Sequence, residues 1–387
     1  MLDRMAVGEL PPKAHTELRG ADGSLRHEEC LTRSGFDGPY TILYRLNRPH
    51  THRPIPAPGG WTLPRAAPAG SLAKRHFRSA EAISSGPWSR SRTPLLFNEE
   101  VAVGVASPDA PDPCWVVDGD ADVLLFVRTG GGRLVTPLGD VDFEALDYVF
   151  VPRGLAHRFE PSAEPQHWLT MEFRGGVGLP DAWRNPVGQL RMDAPLGHRD
   201  FRRPAFRGPR DDGRRTMLVK KNDAFHGFSV ESSPADVVGW DGTVYPWAVP
   251  ILAFQPRVSS VHLPPTWHGT FASKGALVCS FVPRLVDFGP RSIPCPYPHS
   301  SVHVDEVLFY CRGNFTSRRG VGPGSVSMHP AGIPHGPHPG AYEGSLGERR
   351  TDELAVMLDC FSPLRPTPQA LAVEDAAYME SFSVDAA

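Results

Sequence analysis

Seven of the sixteen histidines, at positions 262, 268, 299, 303, 329, 335 and 338, fall within 77 residues, where uniform scatter would place about three. Imidazoles gathered this densely are the raw material of a metal site, or of proton transfer near neutral pH. The run PHSSVHVDEVLFYCRG puts His299 seven residues before Glu306, and Glu306 seven before Gly313. Eleven residues further on, GSVSMHPAGIPH carries Gly324, Pro330, Gly332 and His335 in order. His303 competes with His299 as a partner for Glu306. Strand alternation does not separate them, because three and seven are both odd separations and either needs a bend or bulge.

These two stretches resemble the paired motifs of the cupin family, G(x)5HxH(x)3-4E(x)6G followed by G(x)5PxG(x)2H. The match covers the glutamate-to-glycine spacing and the whole second motif without a gap, and on that spacing His299 is preferred to His303. Where the family pattern has a second histidine, this chain has Ser301. The resemblance therefore implies a ligand set of His299, Glu306 and His335. Two neutral imidazoles and one carboxylate occupy one face of an octahedron, the arrangement with which non-haem Fe(II) oxygenases keep positions open for substrate and O2. A structural zinc site would be closed, usually with thiolates. The six cysteines, at 30, 114, 279, 295, 311 and 360, contain no CxxC pair and read as small buried side chains.

The elements that must position such ligands are short strands. With 38 Gly and 42 Pro in 387 residues, the composition suits strands separated by turns and leaves helix a minor part. The expected class is all-β: two duplicated cupin (jelly-roll) barrels, an irregular N-terminal arm and few helices. Residues 1–95 are rich in Pro, Arg, Ser and Gly and form that arm, with one strand-like island, YTILYRL, at 40–46. Residues 96–180 carry runs such as DVLLFVRT and HWLTMEF and read as an N-terminal barrel, 181–215 as a polar linker, and 216–387 as a C-terminal barrel with a tail that is helical from 370 to 381. Duplication is suggested by LDYVFVPRGLAH at 146–157 and GSVSMHPAGIPH at 324–335, both a strand followed by Pro-x-Gly-x-x-His. The first barrel keeps only His157 of the motif. No histidine lies between His76 and His157, and DADVLLF offers at best Asp122, so this barrel reads as structural and metal-free.

A net charge of −3, from 40 Lys+Arg against 43 Asp+Glu, provides no field for a nucleic-acid backbone or an anionic membrane. Neither a signal-like N-terminus nor an apolar run of membrane-spanning length is present, and a cytoplasmic protein without membrane or nucleic-acid partners is expected.

A closer resemblance joins these parts. LYR at 43–45, DVVGWDG at 236–242, PYPHSSVHVDEVLFYCRGNFTSR at 296–318 and SVSMHPAGIPHGPHPG at 325–340 occur in the order found in homogentisate 1,2-dioxygenases. The similarity spans most of residues 30–365, and the chain looks like the compact bacterial branch of that family. It implies Fe(II)-dependent opening of homogentisate by O2 to maleylacetoacetate, and a trimer or hexamer. By position, His262 in VHLPPT falls on the histidine that handles the phenol proton, a task suited to imidazole. The plain alternative is a hydrogen-bonded loop histidine. His329 falls on a residue that orients a ligand, and alternation puts it on the face of Ser325 and Ser327, opposite Val326 and Met328. His268 and His338 are weaker candidates. Phe315 stands where the longer family form has a substrate-binding tyrosine, and Ser300 and Ser301 replace Arg-Asn, so these positions are expected to shape substrate choice. The other readings are the same chemistry on a related hydroquinone or gentisate-like phenol, and a cupin that binds or isomerises a small molecule without O2.

Overall fold

A computed structural model describes residues 2–315 and 318–383, so two positions of the 296–318 run and the last four residues of the tail lie outside it. Two seven-stranded sheets organise the chain. In the first, the strands run in the order Trp247–Pro250, Asp147–Val151, Asp122–Thr129, His167–Phe173, Val101–Ala106, Arg92–Phe97 and Arg365–Pro366. The second runs Val177–Gly178, Gly269–Ser273, Ala276–Phe281, Leu354–Cys360, Asp305–Arg312, Val326–His329 and Arg75–Phe77. The fold is all-β, and among the described residues its α-helices are the short Ala341–Ser345 and Pro368–Ala372.

Alternation along each central strand assigns the two faces. From Asp122–Thr129, Val123, Leu125 and Val127 point into the first barrel, where they meet Leu134, Val141, Phe143 and Phe159 of a facing three-stranded sheet. Leu124 and Phe126 point the other way, into a core shared with the second seven-stranded sheet. From Asp305–Arg312, Val307, Phe309 and Cys311 meet them there, while Leu308 and Tyr310 face the inside of the second barrel. The sheets therefore pack back to back, with the Phe126 and Phe309 rings 6.0 Å apart and Tyr148 Oη 2.9 Å from Ser280 Oγ. A strand that carries apolar side chains on both faces reads as a nearly continuous hydrophobic run, which is why DVLLFV and EVLFYC show so little polar alternation.

The inside of the first barrel is filled. Trp88, Phe143, Phe159 and Trp168 pack there edge on or tilted, with centroids 5.0 to 5.9 Å apart. His157 is buried with Nδ1 3.0 Å from the Leu155 carbonyl, and burial pushes it down to about 4. Asp122 is held by the Arg33 guanidinium and the amides of Arg153 and Val177. Next to this core lies a buried charge cluster. Lys220, 2% exposed, bridges Asp118 at 3.2 Å and Glu172, and Glu172 also pairs with Arg92. Arg92 in turn stacks on Trp61 and Trp88, its guanidinium carbon 4.0 and 4.4 Å from the ring centroids.

Four segments differ from what the sequence suggests. Of the strands between 216 and 250, read as part of the second barrel, two pair with the first, Thr216–Lys221 running parallel to Trp115–Asp118 and Trp247–Pro250 antiparallel to Asp147–Val151, while Val237–Gly242 lies between Met5–Gly8 and Tyr40–Arg45 of the arm. The arm is not merely irregular, since Arg75–Phe77 closes the edge of the second sheet and Arg92–Phe97 joins the first. Such strands look alike in sequence because pairing partners are chosen by tertiary packing rather than by local pattern. In the tail, the helix expected over 370–381 is two pieces, Pro368–Ala372 and a 3-10 turn at Glu380–Phe382. The 181–215 stretch is anchored by buried Trp183 and Phe201, with Trp183 Nε1 donating to the Gly269 carbonyl at 2.7 Å. Among the described residues no helix is long and apolar enough to cross a membrane.

Candidate metal centre

Glu306 enters the second barrel as the second residue of the strand Asp305–Arg312, one residue after Asp305 points outward. Asp305 itself fixes the neighbouring loops, its two oxygens accepting the amides of Ala331 at 2.8 Å and Leu364 at 2.7 Å. His335 lies beyond the Pro-x-Gly turn that follows Val326–His329. His299 comes from the irregular segment before the Glu306 strand and is tied to His335 by a reciprocal backbone pair, each amide donating to the other's carbonyl at 2.8 Å. Alternation could not choose between His299 and His303 because neither lies in a strand. His303 is exposed and stands outside the cluster.

The candidate donor atoms of His299, Glu306 and His335 lie within 4.8 Å of one another, close enough to share one ion. Glu306 Oε2 is 4.0 Å from His299 Nε2 and 3.8 Å from His335 Nε2. Both ring nitrogens of His335 are buried without a hydrogen-bond partner among the described residues. A buried imidazole with neither nitrogen satisfied is costly unless an electrophile completes it, and a divalent cation does so. The donor set thus fits an ion that prefers imidazole and carboxylate.

Behind the carboxylate stands His329. It is fully buried on the same face as Ser327, with Nδ1 2.8 Å from Glu306 Oε1 and Nε2 3.2 Å from Tyr378 Oη. An ionised carboxylate only accepts, so Nδ1 carries the proton and Nε2 accepts from Tyr378. Burial pushes His329 down to about 4, which keeps the ring neutral. Burial works to raise Glu306, but the His329 hydrogen bond and the adjoining His335 and Arg318 hold it well below the usual carboxylate range. Replacing His329 with glutamine is expected to leave the fold intact and to weaken metal binding by about 10- to 100-fold, as measured by competition with a chromophoric chelator.

His299 and Glu306 of the cluster face a cavity of about 150 Å³. His262, His268 and His299 line it together with Arg284, Asp287 and Arg318. Leu308, Phe281 and Met357 form its apolar wall. His262 Nδ1 is 2.8 Å from Asp287 Oδ2, and its ring meets Tyr297 edge on at 5.0 Å. His268 is buried between Phe254 and Phe281, and burial pushes it down to about 3. His338 lies away from this cavity, bonded to Ser381 Oγ at 2.7 Å and stacked on Phe382. Arg318 is a cavity residue that no motif spacing signals. Its Nη1 donates to the Gly336 carbonyl at 2.6 Å, and Nη2 lies 3.9 Å from Glu306.

Two sequence expectations change. Phe315 does not line the cavity; it packs 4.8 Å from the Tyr310 ring, in a buried cluster behind Leu308 and Met357. Ser301 does not line it either, and its carbonyl instead accepts the Gly332 amide at 3.2 Å. Gly332 has φ +92° with open space where a Cβ would stand. Gly332→Ala is therefore expected to lower stability by only about 1 kcal/mol, all of it backbone strain, which a thermal melt of the metal-free protein would read.

Comparison with known proteins places these observations. The homogentisate 1,2-dioxygenase N-terminal family matches residues 108–250. A protein of Saccharolobus solfataricus, provisionally named a dioxygenase, is 32% identical over 382 residues that cover 97% of both chains. Homogentisate 1,2-dioxygenases of Nitrobacter hamburgensis and Bradyrhizobium diazoefficiens are 28% and 27% identical over 65% of this chain, which spans 58% of their own length. Among solved structures, a cupin 2 conserved barrel protein of Leptotrichia buccalis is similar at a TM-score of 0.36 and 8% identity, covering 76% of this chain and all of that one.

Proposed function

This chain belongs to the homogentisate 1,2-dioxygenase family of dioxygenases, and from that premise we propose that it opens the ring of homogentisate, or of a closely related hydroquinone acid, with O2 at an Fe(II) ion held by His299, Glu306 and His335. The observation that carries the reading is the convergence of two imidazoles and one carboxylate, of which His299 and Glu306 line a cavity whose wall also bears His262. Fe(II) at that face would supply the electronic coupling between an electron-rich ring and O2 that spin otherwise forbids.

The protein's own residues would do the rest. Leu308, Phe281 and Met357 give the aromatic ring an apolar surface and keep water from it. His262 accepts the phenol proton, which makes the oxygen a better ligand and the ring more electron-rich. Arg284, half-buried and 3.5 Å from Glu353, offers a guanidinium to the acid group of the substrate. Glu306 stays ionised and correctly turned because His329 and Tyr378 hold it from behind.

The test is anaerobic loading with Fe(II) followed by O2 uptake with homogentisate, watching for absorbance of a ring-opened diketo acid. Uptake with homogentisate supports the reading. Turnover of gentisate or a bulkier hydroquinone in its place would move the substrate while keeping the site, and absence of uptake with every hydroquinone acid would reject the reaction.

A further inference from the structure

Asp287 follows the short strand Arg284–Leu285, and its side chain, 13% exposed, lines the cavity. Its bond to His262 Nδ1 is the carboxylate's only hydrogen bond among the described residues. A nearly buried carboxylate with a single protein partner acts through that partner. His262 Nε2 has no protein partner among the described residues, and the ring lies in the wall of the same cavity as His299 and Glu306. The other groups around the ring are Tyr297, whose edge meets it, and His268 and Arg284 on the same wall.

An ionised carboxylate can only accept, so the proton of a neutral His262 must sit on Nδ1, leaving the lone pair on Nε2. Without such a partner, the ring has no reason to prefer that tautomer. We propose that Asp287 is the positioning residue of the reaction: it fixes the His262 proton on Nδ1, so that a bare Nε2 meets the substrate phenol. This rests on the ring-opening reading above. In the step itself the phenol O–H bond breaks, its electron pair stays on oxygen, and the proton forms an N–H bond at Nε2. The resulting imidazolium remains against the Asp287 carboxylate, which stabilises its charge.

Nitrogen NMR of the full-length chain, labelled with 15N at histidine and kept metal-free, reads the tautomer without substrate. The His262 resonances are identified by their loss in His262→Gln. The Nδ1-protonated ring is expected in the wild type, and reversion to the Nε2-protonated ring in Asp287→Ala. An Nε2-protonated ring in the wild type, or no change in Asp287→Ala, overturns the inference. In the Fe(II)-loaded enzyme, Asp287→Ala is expected to lower kcat by about 10- to 100-fold while KM stays within about threefold. Asp287→Asn should keep part of the rate, because its amide oxygen still accepts the Nδ1 proton. An unchanged kcat, or a rise in KM alone, also overturns it. If no hydroquinone acid supports O2 uptake in the wild type, the reaction falls, and the tautomer result alone decides the Asp287–His262 pair.

Discussion

His299→Ala is expected to strip the metal from the protein, and His303→Ala to leave it in place, although the two histidines are four residues apart. Only His299 is pinned beside His335 by the reciprocal backbone pair, and only its imidazole lies within 4.0 Å of Glu306. If about 10 kcal/mol of binding is divided among three protein ligands, losing one costs about 3 kcal/mol, or roughly 100-fold in affinity. Activity should fall further, since an ion with two protein ligands no longer fixes where substrate and O2 sit. Metal analysis after desalting, with O2 uptake alongside, is the measurement. Retention by His299→Ala together with loss from His303→Ala would overturn the ligand assignment.

Lys220→Met is expected to produce the largest loss of stability. Lys220 and Arg92 balance Asp118 and Glu172 in a cluster closed off from water, so removing one cation leaves a carboxylate buried without its partner. Breaking such a group costs about 3 to 5 kcal/mol, far more than an exposed pair. The double variant Lys220→Met with Asp118→Asn should recover part of it. Asparagine removes the unmatched charge and keeps the oxygen that accepts the amides of Asp120 and Ala121. Urea unfolding curves for the three proteins test this, and a single variant within about 1 kcal/mol of wild type would show that the cluster relaxes or admits water.

How much of this was legible before the structure depended on what kind of spacing was read. Glu306, Gly313, Gly332 and His335 stood out through their resemblance to a motif of fixed spacing, and the structure brings Glu306 and His335 together with His299. Phe315 was named by its position in the family resemblance, and its direction is set after an irregularity in pairing between Tyr310 and Arg312, where alternation ceases to predict a face. Arg318 and Asp287 carried no signal, since each reaches the cavity from a loop or strand end whose path is decided by distant contacts. Tyr378 escaped notice for the same reason: forty-nine residues separate it from the histidine it bonds. The partners of strands 216–250 were equally hidden, because a strand's sequence states that it pairs and not with what.

The edge strands at either end of the chain have a consequence for how the protein is made. Arg75–Phe77 emerges from the ribosome long before Val326–His329, the strand it must cover, and Arg365–Pro366 arrives last to cap a sheet begun near residue 92. Neither half can complete its hydrogen-bonded edge until nearly the whole polypeptide exists. During synthesis the early residues must therefore wait, unpaired, for a partner some 250 positions downstream, and contacts of such separation form slowly. A ribosome stalled midway would present exposed strand edges rather than a finished first barrel, which makes the chain a poor candidate for division into independently expressed halves.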